Sequence, residues 1–327
     1  MDLQKRFLDE LKKVSGRPGS FADEIAQLLG LSTDSIYRRM RGDTVLSLEE
    51  VQKLCIHFHF SIDALLSPSP ERVNFRQRII SHEGYTLFDW IKTLRRNLAM
   101  MCDAAEKNIL CSGKDIPLLY YFHSPELASF KMYFWMKSMF YYPAYQTGKY
   151  KHSAVPEEYL QVVSDIWEYY SRIDSTEIWT EDCVDVTLNQ IEFYHRCGFF
   201  EDREEGLHLC EVFRSLLTRV KHWALNGLKD DRSGKLRLYK NEILLADNTV
   251  LFKVNNQRIV FIPHNMIAVI STTHQSYCEQ TEKDIRSYVD RSAVLSTTGE
   301  KERNIFFNAL DARINSAKER IAEVISA

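Results

Sequence analysis

Apolar positions follow helical spacing through roughly the first two thirds of the chain and turn into short strand-like runs only after residue 234. Leu3, Phe7, Leu11 and Val14 predict an amphipathic helix over 3–14, broken by Arg17-Pro18-Gly19. Ile25, Leu28 and Leu29 give the next helix its apolar face, with Ser20 placed to cap it and Gly30 to end it. Ser32 caps a third helix, in which Ile36 and Met40 lie four apart and face inward, and Arg41-Gly42 closes it. Helices over 48–58 and 61–66 complete a small domain, and Ser67-Pro68-Ser69-Pro70 reads as a linker. Beyond it, Thr86 and Asp89 cap a long helix whose seam runs Leu87, Ile91, Leu94, Leu98, Met101 and Ala105, with Gly113 and Pro117 at its end. Ser124-Pro125-Glu126 starts another, and three more are expected near 157–172, 178–197 and 203–226, with Gly198 and Gly227 at C-cap positions.

After residue 234 the runs 236–239, 243–245, 250–254, 259–262 and 266–270 read as strands joined by short turns, Asn255-Asn256 suiting a two-residue hairpin. An antiparallel β-meander of about five strands is expected, closed by two helices near 273–290 and 299–325. In the last helix Phe307, Leu310, Ile314, Ala317, Ile321 and Val324 form a seam of heptad spacing, narrow enough to want one partner helix. That partner is either the 87–105 seam of the same chain or the same helix of a second subunit. The expected fold is mainly α with a C-terminal α+β part. It divides into 1–70, a helical region 71–233 for dimerisation or effector binding, and 234–327, a meander with two helices.

The stretch 20–42 resembles the Cro/repressor-type (lambda repressor-like) helix-turn-helix of bacterial transcription regulators. Ile25-Ala26, Gly30-Leu31-Ser32, Ile36 and Arg41-Gly42 carry the likeness, which continues through Leu48–Cys55 and ends at Ser61–Leu66. It implies a five-helix DNA-binding domain in which residues 33–41 enter the major groove of a double-stranded operator, read by a homodimer. The positions agree: Asp34, Arg38 and Arg41 point away from Ile36 and Met40, flanked by Ser35 and Tyr37. Ser20, Ser32, Thr33, Asp34, Ser35, Tyr37, Arg38, Arg39 and Arg41 are therefore the candidate DNA-binding residues. Ala22 stands where many relatives carry a phosphate-contacting Gln. Arg39 occupies a usually apolar position, from which it is expected to snorkel to a phosphate. Asp34 either accepts from a cytosine amine or favours the positive helix end.

Charge qualifies this picture. The net charge is −3, and residues 1–75 hold ten Lys+Arg against eleven Asp+Glu, so this part is not basic overall and its positive charge is local, at Arg38, Arg39 and Arg41. One copy is expected to bind weakly and to need a dimer. Seven cysteines without a Cys-x-x-Cys pair point to a reducing compartment rather than a disulfide framework. No signal segment or membrane span is read, so a cytoplasmic protein is expected.

No nucleotide-binding, zinc-protease or nucleophile-elbow motif occurs, and neither His57-Phe58-His59 nor His195-Arg196-Cys197 has metal-ligand spacing. No catalytic residue, metal or cofactor is expected. The aromatic run 120–145 has two readings, a helical core or an effector pocket lined by Tyr121, Lys131, Phe134 and Trp135, with Lys131 or Lys137 facing an anion. The expectation is a dimeric, sequence-specific transcription regulator, with a small molecule or peptide as effector. The alternative is a DNA-tethered enzyme or protein-interaction module.

Overall fold

The computed structural model describes residues 3–15, 21–58, 60–62, 65, 72–230, 234–242, 248–264 and 267–326. It divides the chain into two compact units, Met1–Asn74 and Phe75–Ala327. The linker residues 67–70, the cap Ser20, the run 243–245 and half of the expected fifth helix at 61–66 lie outside the described residues.

The first unit contains α1 (Leu3–Ser15), α2 (Phe21–Leu29), α3 (Thr33–Arg41) and α4 (Leu48–His57). Phe7, Leu8 and Leu11 of α1 join Phe21 and Ile25 of α2, Ile36 of α3 and Leu54 of α4 in one core. Only Ile36 of α3 is fully buried. A helix anchored by so narrow a stripe leaves most of its circumference to the outside.

Among the described residues, the second unit is built on an eight-stranded sheet with the order β1-β7-β6-β5-β2-β3-β4-β8. Its strands are β1 (Arg76–Gln77), β2 (Lys107–Gly113), β3 (Asp174–Trp179), β4 (Leu236–Lys240), β5 (Thr249–Val254), β6 (Gln257–Pro263), β7 (Val269–Thr272) and β8 (Ala293–Val294). Strands β2, β3 and β4 run parallel, and every other pairing is antiparallel. The helices are α5 (Leu87–Cys102), α6 (Pro125–Phe134), α7 (Pro143–Gln146), α8 (Glu157–Tyr170), α9 (Asp185–Arg196), α10 (Glu205–Asn226), α11 (Gln275–Asp290) and α12 (Glu300–Ser326).

Three expectations change here. The region 71–233 is not purely helical, and the boundary at 233/234 runs through the sheet, because β2 and β3 lie between β5 and β4. Strand β2 carries Ile109-Leu110-Cys111, which faces helices through Ile109 and α11 through Leu110. A strand buried on both faces reads as an unbroken apolar run and merges in sequence with the helix before it. Strand β3 falls mostly in the gap between the helices expected near 157–172 and 178–197, where no strand was read because the charged Glu177 interrupts its apolar pattern. Strand β4 is no part of the meander: it pairs parallel with β3, Ser175 opposite Leu236. The meander that does form is β5-β6-β7, and its first turn is the expected Asn255-Asn256, with Asn255 at φ 50°.

The last helix also finds a different partner. Leu310, Ile314, Ala317 and Ile321 of α12 are completely buried within the chain's own main core. The helix packs on α10 and α9, not on the 87–105 seam. Its flanks are tied to the same two helices by Arg313–Asp185 at 2.6 Å, Arg320–Glu192 at 2.9 Å and Lys318–Glu211. The seam 307–321 is thus satisfied internally and is not left open to a second subunit.

Candidate nucleic-acid interface

Helix α3 is held at both ends by its own sequence. Ser32, extended at φ −73° and ψ 150°, accepts from the Ser35 amide at 3.3 Å. Gly30 turns the chain at φ 68° while the Leu31 amide donates back to the Ala26 carbonyl at 2.9 Å. At the other end Gly42 takes φ 89°, where a Cβ would be strained, and its amide donates to the Arg39 carbonyl at 3.1 Å. Thr33 is not directed outward alone: its hydroxyl donates to Asp23 of α2 at 3.1 Å, locking the two helices at the turn.

The outward face carries Asp34, Tyr37, Arg38 and Arg41, all exposed. Arg38 sits 3.1 Å from Asp34 one turn earlier, with the two side chains 60% and 70% exposed. Arg41 sits 3.0 Å from Asp43, at 60% and 56%. Pairs this exposed hold each other weakly, by about 0–1 kcal/mol, so phosphate or a guanine edge can displace either carboxylate.

Arg39, expected to snorkel to a phosphate, is instead engaged within the first unit. Its side chain is only 13% exposed, and the guanidinium reaches across to Glu50 of α4. It donates to Glu50 Oε1 at 2.9 Å and Oε2 at 3.3 Å, and also to the Ser35 hydroxyl at 2.8 Å. Ser35 is therefore occupied by Arg39. Glu50 in turn accepts from the Ser47 amide at 2.9 Å while the Ser47 hydroxyl accepts from the Glu50 amide, a reciprocal cap that starts α4. Burial works to raise the Glu50 carboxyl, but the bonds from Arg39 and Ser47 outweigh it and hold the group below its ordinary range.

Two positioning residues escaped the sequence reading. Glu50 was legible, since Ser47-Leu48-Glu49-Glu50 has capping-box spacing. Gln4 was not. Its amide nitrogen donates to the carbonyls of Arg39 and Thr44, each at 2.8 Å, and its oxygen accepts from the Leu46 amide at 2.7 Å. It thereby stitches α1 to the end of α3 and to the loop before α4, across sequence separations of 35–42 residues that no local pattern encodes.

The expected effector residues lie in the main core of the second unit. Tyr121 and Lys131 meet, the ammonium 4.3 Å from the ring centre. Lys131 donates to Thr187 at 2.7 Å and to Gln190 at 2.8 Å, and the Tyr121 hydroxyl lies 2.6 Å from the same Thr187 oxygen. Burial lowers the Lys131 ammonium to about 7, with Asp115 opposing the shift. Phe134 packs instead on Tyr194 at 5.3 Å, and Trp135 is buried. Lys137 donates to the carbonyls of Tyr145, Gln146 and Gly148 at 3.0, 2.6 and 3.0 Å. Both lysines thus spend protons on internal acceptors. Among the described residues no His/Cys/Asp/Glu group is arranged to hold a metal, and no helix is long and apolar enough to cross a membrane.

Residues 4–93 match the family model of the BetR domain, a helix-turn-helix-type DNA-binding domain family. The match begins in α1 and extends into α5, and it supports a DNA-binding regulatory role for this part of the chain. Comparison with curated proteins and with solved structures gave no match.

Proposed function

We propose that the protein is a sequence-specific transcription regulator of the Cro/lambda repressor-like type. In this reading it binds a double-stranded operator in the cytoplasm through α3, as a two-fold homodimer, and without catalysis of its own. The observation that carries the reading is the presentation of α3: capped at Ser32 and Gly42, anchored by Ile36, with Arg38 and Arg41 exposed on its outer face. A helix so placed fits the major groove, and arginines there suit guanine edges and phosphates. A first unit with balanced charge gains little from electrostatics alone, which favours two copies on a two-fold site. The second unit, far larger than a dimerisation tail requires, is the part assigned to self-association and to a small-molecule or peptide effector.

The test uses an operator selected from random duplexes by the full-length protein. Arg38→Ala is expected to cost about 1–3 kcal/mol of specific binding if it contacts guanine through both its nitrogens. Unchanged affinity of Arg38→Ala/Arg41→Ala at the same salt overturns the assignment of this face. Sedimentation of the full chain with and without operator checks assembly; a species that stays monomeric on the operator overturns the dimer.

A further inference from the structure

We infer that Asp34 and Asp43 act as a specificity gate: in the unbound protein they occupy the two exposed arginines of α3 and so suppress attraction to DNA of arbitrary sequence. The inference rests on the DNA-binding reading above and adds roles for two residues on its surface.

The three arginines of α3 each have one carboxylate partner, but the partnerships differ in kind. Arg39–Glu50 is a shielded, forked pair between two helices, reinforced by Ser35 and by the cap at Ser47. It is part of the domain's framework and does not open for DNA. Arg38–Asp34 and Arg41–Asp43 are single contacts through Nε at 3.1 and 3.0 Å, with all four side chains more than half exposed. Neither pair is needed to hold α3, whose ends are fixed by Ser32, Gly42 and Gln4. What they do is cancel two positive charges on the face that meets the phosphates.

Random-sequence binding is almost wholly counterion release, so it scales with the number of unpaired cations on the contact face. Exchanging a carboxylate for a lone phosphate gains a cation–anion contact by giving up another. Exchanging it for a guanine edge adds directed bonds that a phosphate cannot supply. The aspartates therefore penalise all DNA alike, and a cognate base restores what is lost. Discrimination rises at the expense of overall affinity, which is how a repulsive element confers specificity.

The experiment measures binding of the full-length protein to a random-sequence duplex and to the selected operator over a series of salt concentrations. Asp34→Asn/Asp43→Asn is expected to bind the random duplex about 10-fold more tightly per charge removed near 0.1 M salt. Its salt slope should steepen by about one for each charge. Operator affinity should rise less, so the ratio of the two falls. In a background of Arg38→Ala/Arg41→Ala the gain should vanish, because the aspartates act by occupying those arginines. Random-duplex affinity and slope that stay at the parental values overturn the gate. So does a gain that persists without the arginines, which marks a general effect of net charge. Loss of operator affinity with no gain on random duplex also overturns it and makes Asp34 a reader of cytosine. If the arginine double variant alone binds both duplexes as the parent does, it is the DNA-binding face that fails.

Discussion

Arg38 on α3 and Lys229 beyond the end of α10 are both cations with oxygen partners, and they sit in opposite regimes. Arg38 holds a single exposed carboxylate at 3.1 Å. Lys229 is fully buried and donates to the carbonyls of Ile173 and Tyr170 at 2.6 and 3.2 Å, its ammonium 3.7 Å from the Tyr170 ring centre. Close by, the equally buried Glu177 accepts from Tyr120 at 3.0 Å, Tyr170 at 2.5 Å, Ser175 at 2.6 Å and Trp179 at 3.2 Å. The first unit keeps its surface charges in weak pairs that a ligand can replace. The second spends its buried charges on a network with many internal partners. A charge is available for recognition only where water can take over its partner cheaply; once desolvated, breaking a pair leaves an uncompensated ion.

The largest effect that sharpens this contrast should come from Glu177→Leu. Four donors lose their acceptor on the covered face of β3. A loss of about 3–5 kcal/mol is expected in denaturant unfolding, whereas Glu177→Gln, which keeps an acceptor, should cost less. A change below about 1 kcal/mol for the leucine variant would erase the contrast.

Glu50→Ala should come next. It removes the carboxylate half of the α4 capping box and the anchor of Arg39 together, and about 2 kcal/mol of stability is expected to go. Operator binding should weaken with it, as α3 loses its tie to α4. An unfolding midpoint and operator affinity both equal to the parent's would show that Arg39 needs no partner.

Lys131 offers a pH test. Burial lowers its folded-state value to about 7 against 10.5 for the ordinary group. Between these limits the unfolded chain binds the extra proton, so this residue makes stability rise with pH, by up to about 1.4 kcal/mol per pH unit. Below the lower limit both states are protonated and the contribution is flat. Lys131→Met should remove that share of the slope between pH 7 and 9. Equal slopes in both proteins would mean that the ammonium is solvated.

The smallest effect belongs to the surface pairs. Asp34→Asn is expected to leave unfolding stability within about 0.5 kcal/mol of the parent while it changes DNA binding. A larger loss would place the Arg38–Asp34 pair in the framework beside Arg39–Glu50.

The sequence by itself determined the elements whose signals are local. The caps Ser32 and Gly42, the turn at Gly30, the outward set Asp34, Tyr37, Arg38 and Arg41, and the Asn255-Asn256 hairpin follow from φ preference, cap chemistry and a period of 3.6 or 2. The capping box Ser47–Glu50 was equally readable. Tertiary structure alone decided what each pattern packs against. Ile314 and Ala317 form a seam in any context, but only packing shows that α9 and α10 fill it. Leu110 lies in a strand because β3 and β5 flank it, and Glu177 is a strand residue inside the core because distant tyrosines and a tryptophan satisfy it. Arg39 is tied to α4 because Glu50 lies across from it, and Gln4 reaches a loop some forty residues away. Periodicity records which face of an element is apolar; the identity of the partner is set by long-range contacts whose distance along the chain leaves no local trace.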